Sequence, residues 1–308
     1  MNTFDVIILG GGAAGLSAAT ALGRFRRSVA VIDAGEPRNA PAEGVHNFLS
    51  RDGVNPLELQ HLGRAEAESY GVTFFDGSAS DIHPGFSVSV GEHTLSAPRL
   101  IVATGTHDEL PAVAGLAERW GRDVIHCPYC HGWEVRDRAI GIVGTHARAP
   151  HIALMFRQLS DRVTLFLDPT VTLGADELAQ LSARDVSIVT GTISGLNIVD
   201  DALSTVTLDD GSTHAVEALA VGTFMHARVE TLAPLGLVAV DHPSGAGTHL
   251  PVDGFGLTSV PNVWAAGNVS DPMAQVVTSA AQGLMVGAAV NADLIAEEAS
   301  TAVVRVGG

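Results

Sequence analysis

The run Gly10-Gly11-Gly12-Ala13-Ala14-Gly15 constrains this chain more than any other stretch, because of what surrounds it. Residues 4–10 are apolar apart from Asp5, the pattern of a strand buried on both faces. Ala13 to Arg24 is rich in Ala, Leu and Gly and reads as a helix. Residues 28–32 read as a second strand, with Asp33 at its end, 18 residues after Gly15. A strand, a G-x-G-x-x-G turn, a helix and an acidic residue closing the next strand make a dinucleotide cradle. Gly10 makes the tight turn, Gly12 lets the backbone approach a pyrophosphate, and Gly15 lets the helix lie close to the strand. The helix N-terminus, with Ala13 and Ala14, offers N–H donors to phosphate, and Asp33 accepts from a ribose hydroxyl.

With 308 residues and 46% hydrophobic residues the chain exceeds one ordinary core, so two domains are expected. A second strand–turn–helix–strand unit reads over 139–143, 149–159 and 163–167. Further strands are expected at 72–75, 86–90, 99–103, 186–189, 206–208, 218–221 and 263–266, with helices at 56–70 and 275–296. The expected fold is α/β, with two Rossmann-like dinucleotide-binding domains, the second inserted in the first. Residues 1–113 and 246–308 would form the outer domain, and 114–245 the insert.

Net charge is −17, from 17 basic and 34 acidic residues, and every basic residue is arginine. Without lysine there is neither a Schiff-base amine nor a P-loop lysine. The acidic balance argues against nucleic acid and anionic membranes as partners. No apolar stretch is long enough to span a bilayer. The N-terminus reads as a strand rather than a signal peptide, so a cytoplasmic location is expected.

The two cysteines stand together in Cys127-Pro128-Tyr129-Cys130-His131. The pattern formally matches a c-type haem attachment site, but the chain shows no export signal. Zinc would need His126, Cys127, Cys130 and His131, four ligands crowded into six residues, so no metal is expected. A redox dithiol fits best. His126 and His131 flank it and lower thiol pKa values when charged. His131 is the stronger candidate for moving protons; His126 reads equally well as a solvated residue. Trp133 and Glu134 read as packing and surface.

Three further segments carry a resemblance. Ala103-Thr104-Gly105, His46-Asn47-Phe48, and residues 263–268 (Val-Trp-Ala-Ala-Gly-Asn) followed by Gln275-Val276 and a helix resemble the flavin motifs of thioredoxin-reductase-like flavoproteins. The resemblance runs from residue 4 to about 296. It implies the fold of low-molecular-weight thioredoxin reductases, a homodimer, and FAD in the outer domain. The implied FAD-binding residues are Gly10, Gly12, Ala13, Ala14, Gly15, Asp33, Arg38, His46, Asn47, Thr104, Gly105, Gly267, Asn268, Gln275 and Val276. Asn268 departs from the family's aspartate, which holds the ribityl chain; an amide still donates or accepts there. The resemblance places Cys130 facing the flavin and Cys127 exchanging with substrate.

The second glycine-rich turn departs further. Residues 144–149 put His146 where the middle glycine belongs, in the space of a pyrophosphate. Asp168 stands where the reductases carry basic residues for a 2′-phosphate, so NADPH is disfavoured and NADH is conceivable. The motif at 127–132 resembles the dithiol oxidases that close disulfides in natural products such as gliotoxin and holomycin. That resemblance implies a small-molecule dithiol as substrate, O2 as acceptor and H2O2 as product. Three alternatives stay open: an NAD(P)H-dependent disulfide reductase, a reductase fed by an electron carrier, and a flavin-binding module without turnover.

Overall fold

The computed structural model describes residues 2–307. It contains helices α1 (Ala13–Arg24), α2 (Pro56–Ser69), α3 (Pro128–His131), α4 (Ala149–Phe156), α5 (Ala175–Ala183) and α6 (Val276–Gly307). The chain divides into two compact units. The first is built from residues up to Ala40, from Asn55–Asp108 and from Phe224 onward; the second from Pro41–Val54 and Glu109–Thr223.

The first unit holds a five-stranded sheet in the order Val263–Ala265, Arg99–Val102, Val6–Leu9, Val29–Asp33, Thr73–Asp76. All its pairings are parallel. Such a sheet is covered on both faces, which the alternation of its central strand shows. Ile7 and Leu9 join one apolar core, Val6 and Ile8 another. The second of these cores contains Ala14, Ala18 and Leu22 of α1 and Val286, Val290 and Leu294 of α6. The two helices approach closely through small residues. A Cβ at Gly283 would fall 2.0 Å from the Ala14 carbonyl oxygen, and one at Gly287 3.0 Å from that of Ala18. The opposite core takes in a four-stranded sheet ordered Asn2–Thr3, His93–Ser96, Ser87–Val90, Ser80–His83.

The second unit carries its own parallel sheet, in the order Val124–Ile125, Ala218–Ala220, Ile140–Gly144, Val163–Leu167, Ser187–Thr190. An antiparallel sheet of Ile193–Val199, Ala202–Leu208 and Thr213–Ala215 adjoins it in sequence. Arg119 and Asp123, each about 6% exposed, pair in its interior, and Asp123 also accepts from Leu203 N–H at 2.8 Å.

The α/β class with parallel, Rossmann-type sheets matches the expectation. The segment boundaries differ in three places. Residues 109–113 fall in the second unit, since the middle segment of the first ends at Asp108. Residues 224–245 fall in the first unit, because the Phe224–Ala227 strand pairs with Thr106–Glu109 and Ala227, Leu232 and Leu237 enter its core. Residues 41–54 fall in the second unit, as a loop closed by the Val45–Val54 bridge. Helix α5 has no counterpart in the sequence reading, and α6 continues past residue 296 to Gly307.

Candidate functional site

The glycine turn is built as its sequence requires. Gly10 has φ +105°, and a Cβ there would fall 2.3 Å from the Ala103 carbonyl oxygen. A Cβ at Gly15 would lie 1.9 Å from the Gly10 oxygen, so only glycine lets α1 start this close to the strand. At Gly12 no protein atom lies within 4 Å of the Cβ position, so the space beside the helix N-terminus is open. Asp33 is held at the turn: Gly11 N–H donates to its Oδ1 at 2.9 Å, and the Gln60 amide to its Oδ2 at 2.8 Å. Gln60 also reaches the Gly11 carbonyl, at 3.3 Å. Gly11, Asp33 and Gln60, with Arg64 and Phe74, line a cleft of about 310 Å³. An open phosphate cradle followed by an oriented carboxylate in a cleft fits a dinucleotide.

The other expected cofactor residues of the first unit divide. Gly267, at φ +78°, lies against Ala14, and its N–H donates to Gln282 Oε1 at 3.0 Å. Asn268 turns its amide donor inward, onto the backbone oxygens of Ala274 at 2.8 Å, Asp271 and Pro272. Its amide therefore ties a loop, as an aspartate could not, and its oxygen is the atom left for a ligand. Thr104 donates to the Arg228 oxygen at 2.6 Å, beside Gly105. Arg38 forms a forked pair with Asp108 at 2.6 and 2.7 Å. Gln275 and Val276 stand at the start of α6, where the Gln275 oxygen accepts from Ser279 N–H.

Within the second unit, Cys127 and Cys130 are part-buried thiols at the start of α3, with Pro128 at its first position. The loop carrying His46 and Asn47 belongs to this unit and clasps α3. Asn47 Nδ2 donates to the Tyr129 oxygen at 2.7 Å, and His46 bridges Asp52 and Glu134, each at 3.4 Å. Glu134 is thus a partner in the cluster around the dithiol rather than plain surface. Trp133, expected to pack, is 65% exposed, with Arg136 4.1 Å over its ring. Both ring nitrogens of His131 are buried without a hydrogen-bond partner. Burial holds its pKa below the usual histidine value; Glu134 opposes the shift and His46 adds to it. His126 pairs its Nδ1 with the Val221 oxygen at 3.1 Å. Among the described residues no group of His, Cys, Asp and Glu could hold a metal ion.

The second glycine-rich turn is closed from within. His146 Nδ1 accepts from Arg148 N–H at 3.2 Å, at the N-terminus of α4, where a phosphate would otherwise receive such donors. Its Nε2 lies against Gly222, where a Cβ would fall only 1.9 Å away. Burial, then Arg148 and His126, lower its pKa below the usual histidine value. Asp168 accepts from Thr170 N–H and Oγ1 at 2.9 and 2.5 Å and from Thr192 at 3.1 Å, contacts that lower its pKa.

Residues 4–283 match the model of the pyridine nucleotide-disulphide oxidoreductases. The chain belongs to that family. Members carry a flavin, generally FAD. This oxidoreductase is 31% identical to thioredoxin reductase sirT of Leptosphaeria maculans, over 94% of each chain. It is 29% identical to thioredoxin reductase tcpT of Claviceps purpurea, over 96% of each. Among solved structures it superposes on HlmI with a TM-score of 0.90 at 42% identity, covering 98% of this chain and 95% of that one. An oxidoreductase from Agrobacterium tumefaciens follows at 0.87 and 36%, covering 96% and 99%. The thioredoxin-reductase-like resemblance read from the motifs is borne out.

Sequence reasoning passed over Gln60, Gln282 and Ser279. Gln60 gave a signal only in retrospect, as a polar residue one turn into a helix that packs on α1. Gln282 and Ser279 lie within an apolar helix, where nothing in the local pattern marks them.

Proposed function

We propose that this oxidoreductase is an FAD-dependent dithiol oxidase that closes a disulfide in a small-molecule, natural-product-like dithiol, with O2 as acceptor and H2O2 as product. The observation that carries the reading is the self-closed second turn. His146 occupies the position through which a nicotinamide dinucleotide would bind, while the dithiol at Cys127 and Cys130 keeps beside it a histidine whose ring nitrogens are buried. Electrons then enter through the dithiol.

One substrate thiolate attacks Sγ of Cys127 in the enzyme disulfide and releases Cys130 as thiolate. The second substrate thiol displaces Cys127 and leaves as the cyclic disulfide, with the enzyme as its dithiol. Two substrate thiols are oxidised and one enzyme disulfide is reduced. FAD, when bound, takes up the two electrons of that dithiol and delivers them to O2. The residues assigned to hold it are Gly10, Gly12, Ala13, Ala14, Gly15 and Asp33, with Thr104, Gly105, Gly267, Asn268, Gln275 and Val276. Arg38, His46 and Asn47 act through their protein contacts. His131, its pKa lowered by burial, takes the substrate thiol proton at a ring nitrogen that no protein group occupies. His126, next to Cys127, steadies the loop through Val221. A homodimer and a cytoplasmic setting complete the reading.

The test is anaerobic bleaching of the flavin in purified protein by a small dithiol, NADH or NADPH, followed by air and a peroxide assay. Bleaching by the dithiol alone, air recovery with peroxide, and loss of bleaching in Cys130→Ser are expected. Rapid bleaching by NADH or NADPH would make it a reductase and overturn the role of His146.

A further inference from the structure

Ser279 sits one turn inside α6, on the face that meets α1, and is 6% exposed. Its Oγ has no hydrogen-bond partner. A helical serine commonly returns its hydroxyl to the carbonyl four residues earlier. Here the Gln275 oxygen takes only the Ser279 backbone N–H, at 2.8 Å. A buried hydroxyl left unpaired is costly, and such groups in native proteins ordinarily have a partner.

The surroundings say what partner is missing. A Cβ at Gly267 would lie 3.6 Å from Ser279 Cβ, 3.7 Å from Ser279 Oγ and 2.8 Å from the Ala14 methyl. One turn further along α6, Gly283 touches the Ala14 backbone. Ser279 therefore lies where the first turn of α1 and the Gly267–Asn268 segment come together. The neighbouring amide of Asn268 spends its donor on backbone oxygens and offers a ligand only an acceptor. The orphan hydroxyl is the side-chain donor at this point.

We infer that Ser279 is a further ligand of the dinucleotide in the first unit, donating its hydroxyl proton to a phosphate or ribityl oxygen. The inference rests on the reading that this cradle holds FAD. Its chemistry makes two opposite demands on one atom: the hydroxyl burdens the empty protein and strengthens the loaded one.

Flavin is stripped from wild type and Ser279→Ala, and each apoprotein is titrated with FAD and, separately, with ADP, which lacks the ribityl chain. Thermal unfolding of both apoproteins is recorded. The expected result is FAD affinity lowered about 3- to 10-fold in Ser279→Ala, with apoprotein melting unchanged or higher. A parallel loss for ADP assigns the contact to phosphate, and a loss for FAD alone to the ribityl chain. Equal FAD affinity in the two proteins overturns the inference. So does an affinity loss accompanied by a lower apoprotein melting temperature, which marks a packing role. Failure of wild-type apoprotein to take up FAD instead refutes the cofactor reading itself.

Discussion

Gly12 and Gly15 stand three residues apart in one motif, yet the structure separates their roles, and alanine at each position tests that separation. Gly12 has φ −78° and ψ −173°, a conformation open to any residue, and a Cβ there meets no protein atom within 4 Å. Two small effects act on the stability of Gly12→Ala. Restricting the unfolded chain contributes about 0.4–1 kcal/mol. Losing glycine's advantage over alanine at a helix N-cap costs a similar few tenths to about 1 kcal/mol. They offset, so apoprotein melting should move by no more than about 2 °C. The new methyl nevertheless fills the open side of the cradle and should abolish FAD binding. In Gly15→Ala the Cβ would sit 1.9 Å from the Gly10 oxygen. Reaching ordinary contact forces the helix off the strand by more than an ångström, at a cost of about 1–3 kcal/mol or more. That variant should lose both stability and flavin. Far-UV circular dichroism melts of the apoproteins and FAD fluorescence titrations distinguish the cases. A Gly12→Ala protein that binds FAD as wild type does would refute the placement of the phosphates beside Gly12.

Other predictions follow from single contacts. His131 has a pKa held below 6.5 by burial, so its base form is complete above that value and is lost as pH falls through the lowered one. Dithiol oxidation should be flat across neutral pH on this group's account and decline on the acid side, and His131→Gln should remove that acidic limb in a stopped-flow pH profile. Asp123→Asn leaves the buried Arg119 guanidinium with only the exposed Asp201 as countercharge and should cost about 1–3 kcal/mol in urea unfolding. Burial alone would push the Asp123 pKa up, but hydrogen bonds from Arg119 and Leu203 outweigh it and hold the carboxyl below its ordinary 3.8. Its stabilisation is therefore complete above that value and is lost on acidification through the folded pKa, a loss that the Asp123→Asn variant should not show. Gln60→Ala frees one oxygen of Asp33 and should weaken FAD binding about 3- to 10-fold; Gln60→Glu sets two carboxylates together and should weaken it increasingly as pH rises, read by flavin retention.

The first strand–turn–helix–strand unit was legible almost residue by residue, since its apolar periods, its glycines and Asp33 are all local signals. Helix α1 spans 13–24 as read, and the Val163–Leu167 strand also matches. The dithiol was legible because cysteine is rare in this chain. What stayed hidden depends on distant partners. The Phe224–Ala227 strand gains its meaning by pairing with Thr106–Glu109, more than a hundred residues earlier. The 41–54 loop reads as irregular chain until Asn47 is seen holding Tyr129. Helix α5 buries only Leu181, too little apolar face for a period to show. The extension of α6 beyond 296 has exposed side chains and no core stripe to announce it. In the site, the glycine spacing marks His146 as an obstacle, but its cap on Arg148 and its seat against Gly222 are geometry that no spacing encodes.

The first unit's sheet has its edge strand at Val263–Ala265 beside Arg99–Val102, and α6 seals the helix that carries the glycine turn. A ribosome makes these parts in the wrong order for early assembly. The turn emerges first, and the residues that complete its surroundings emerge about 250 positions later. In between, the whole of 109–223 is synthesised, a contiguous stretch with its own core, and domains generally fold as units during synthesis. The N-terminal strands must wait, exposed, while the later-born unit finishes. The glycine turn is then enclosed only once residues 263–294 have emerged, and chaperone demand should peak on nascent chains that end before residue 263.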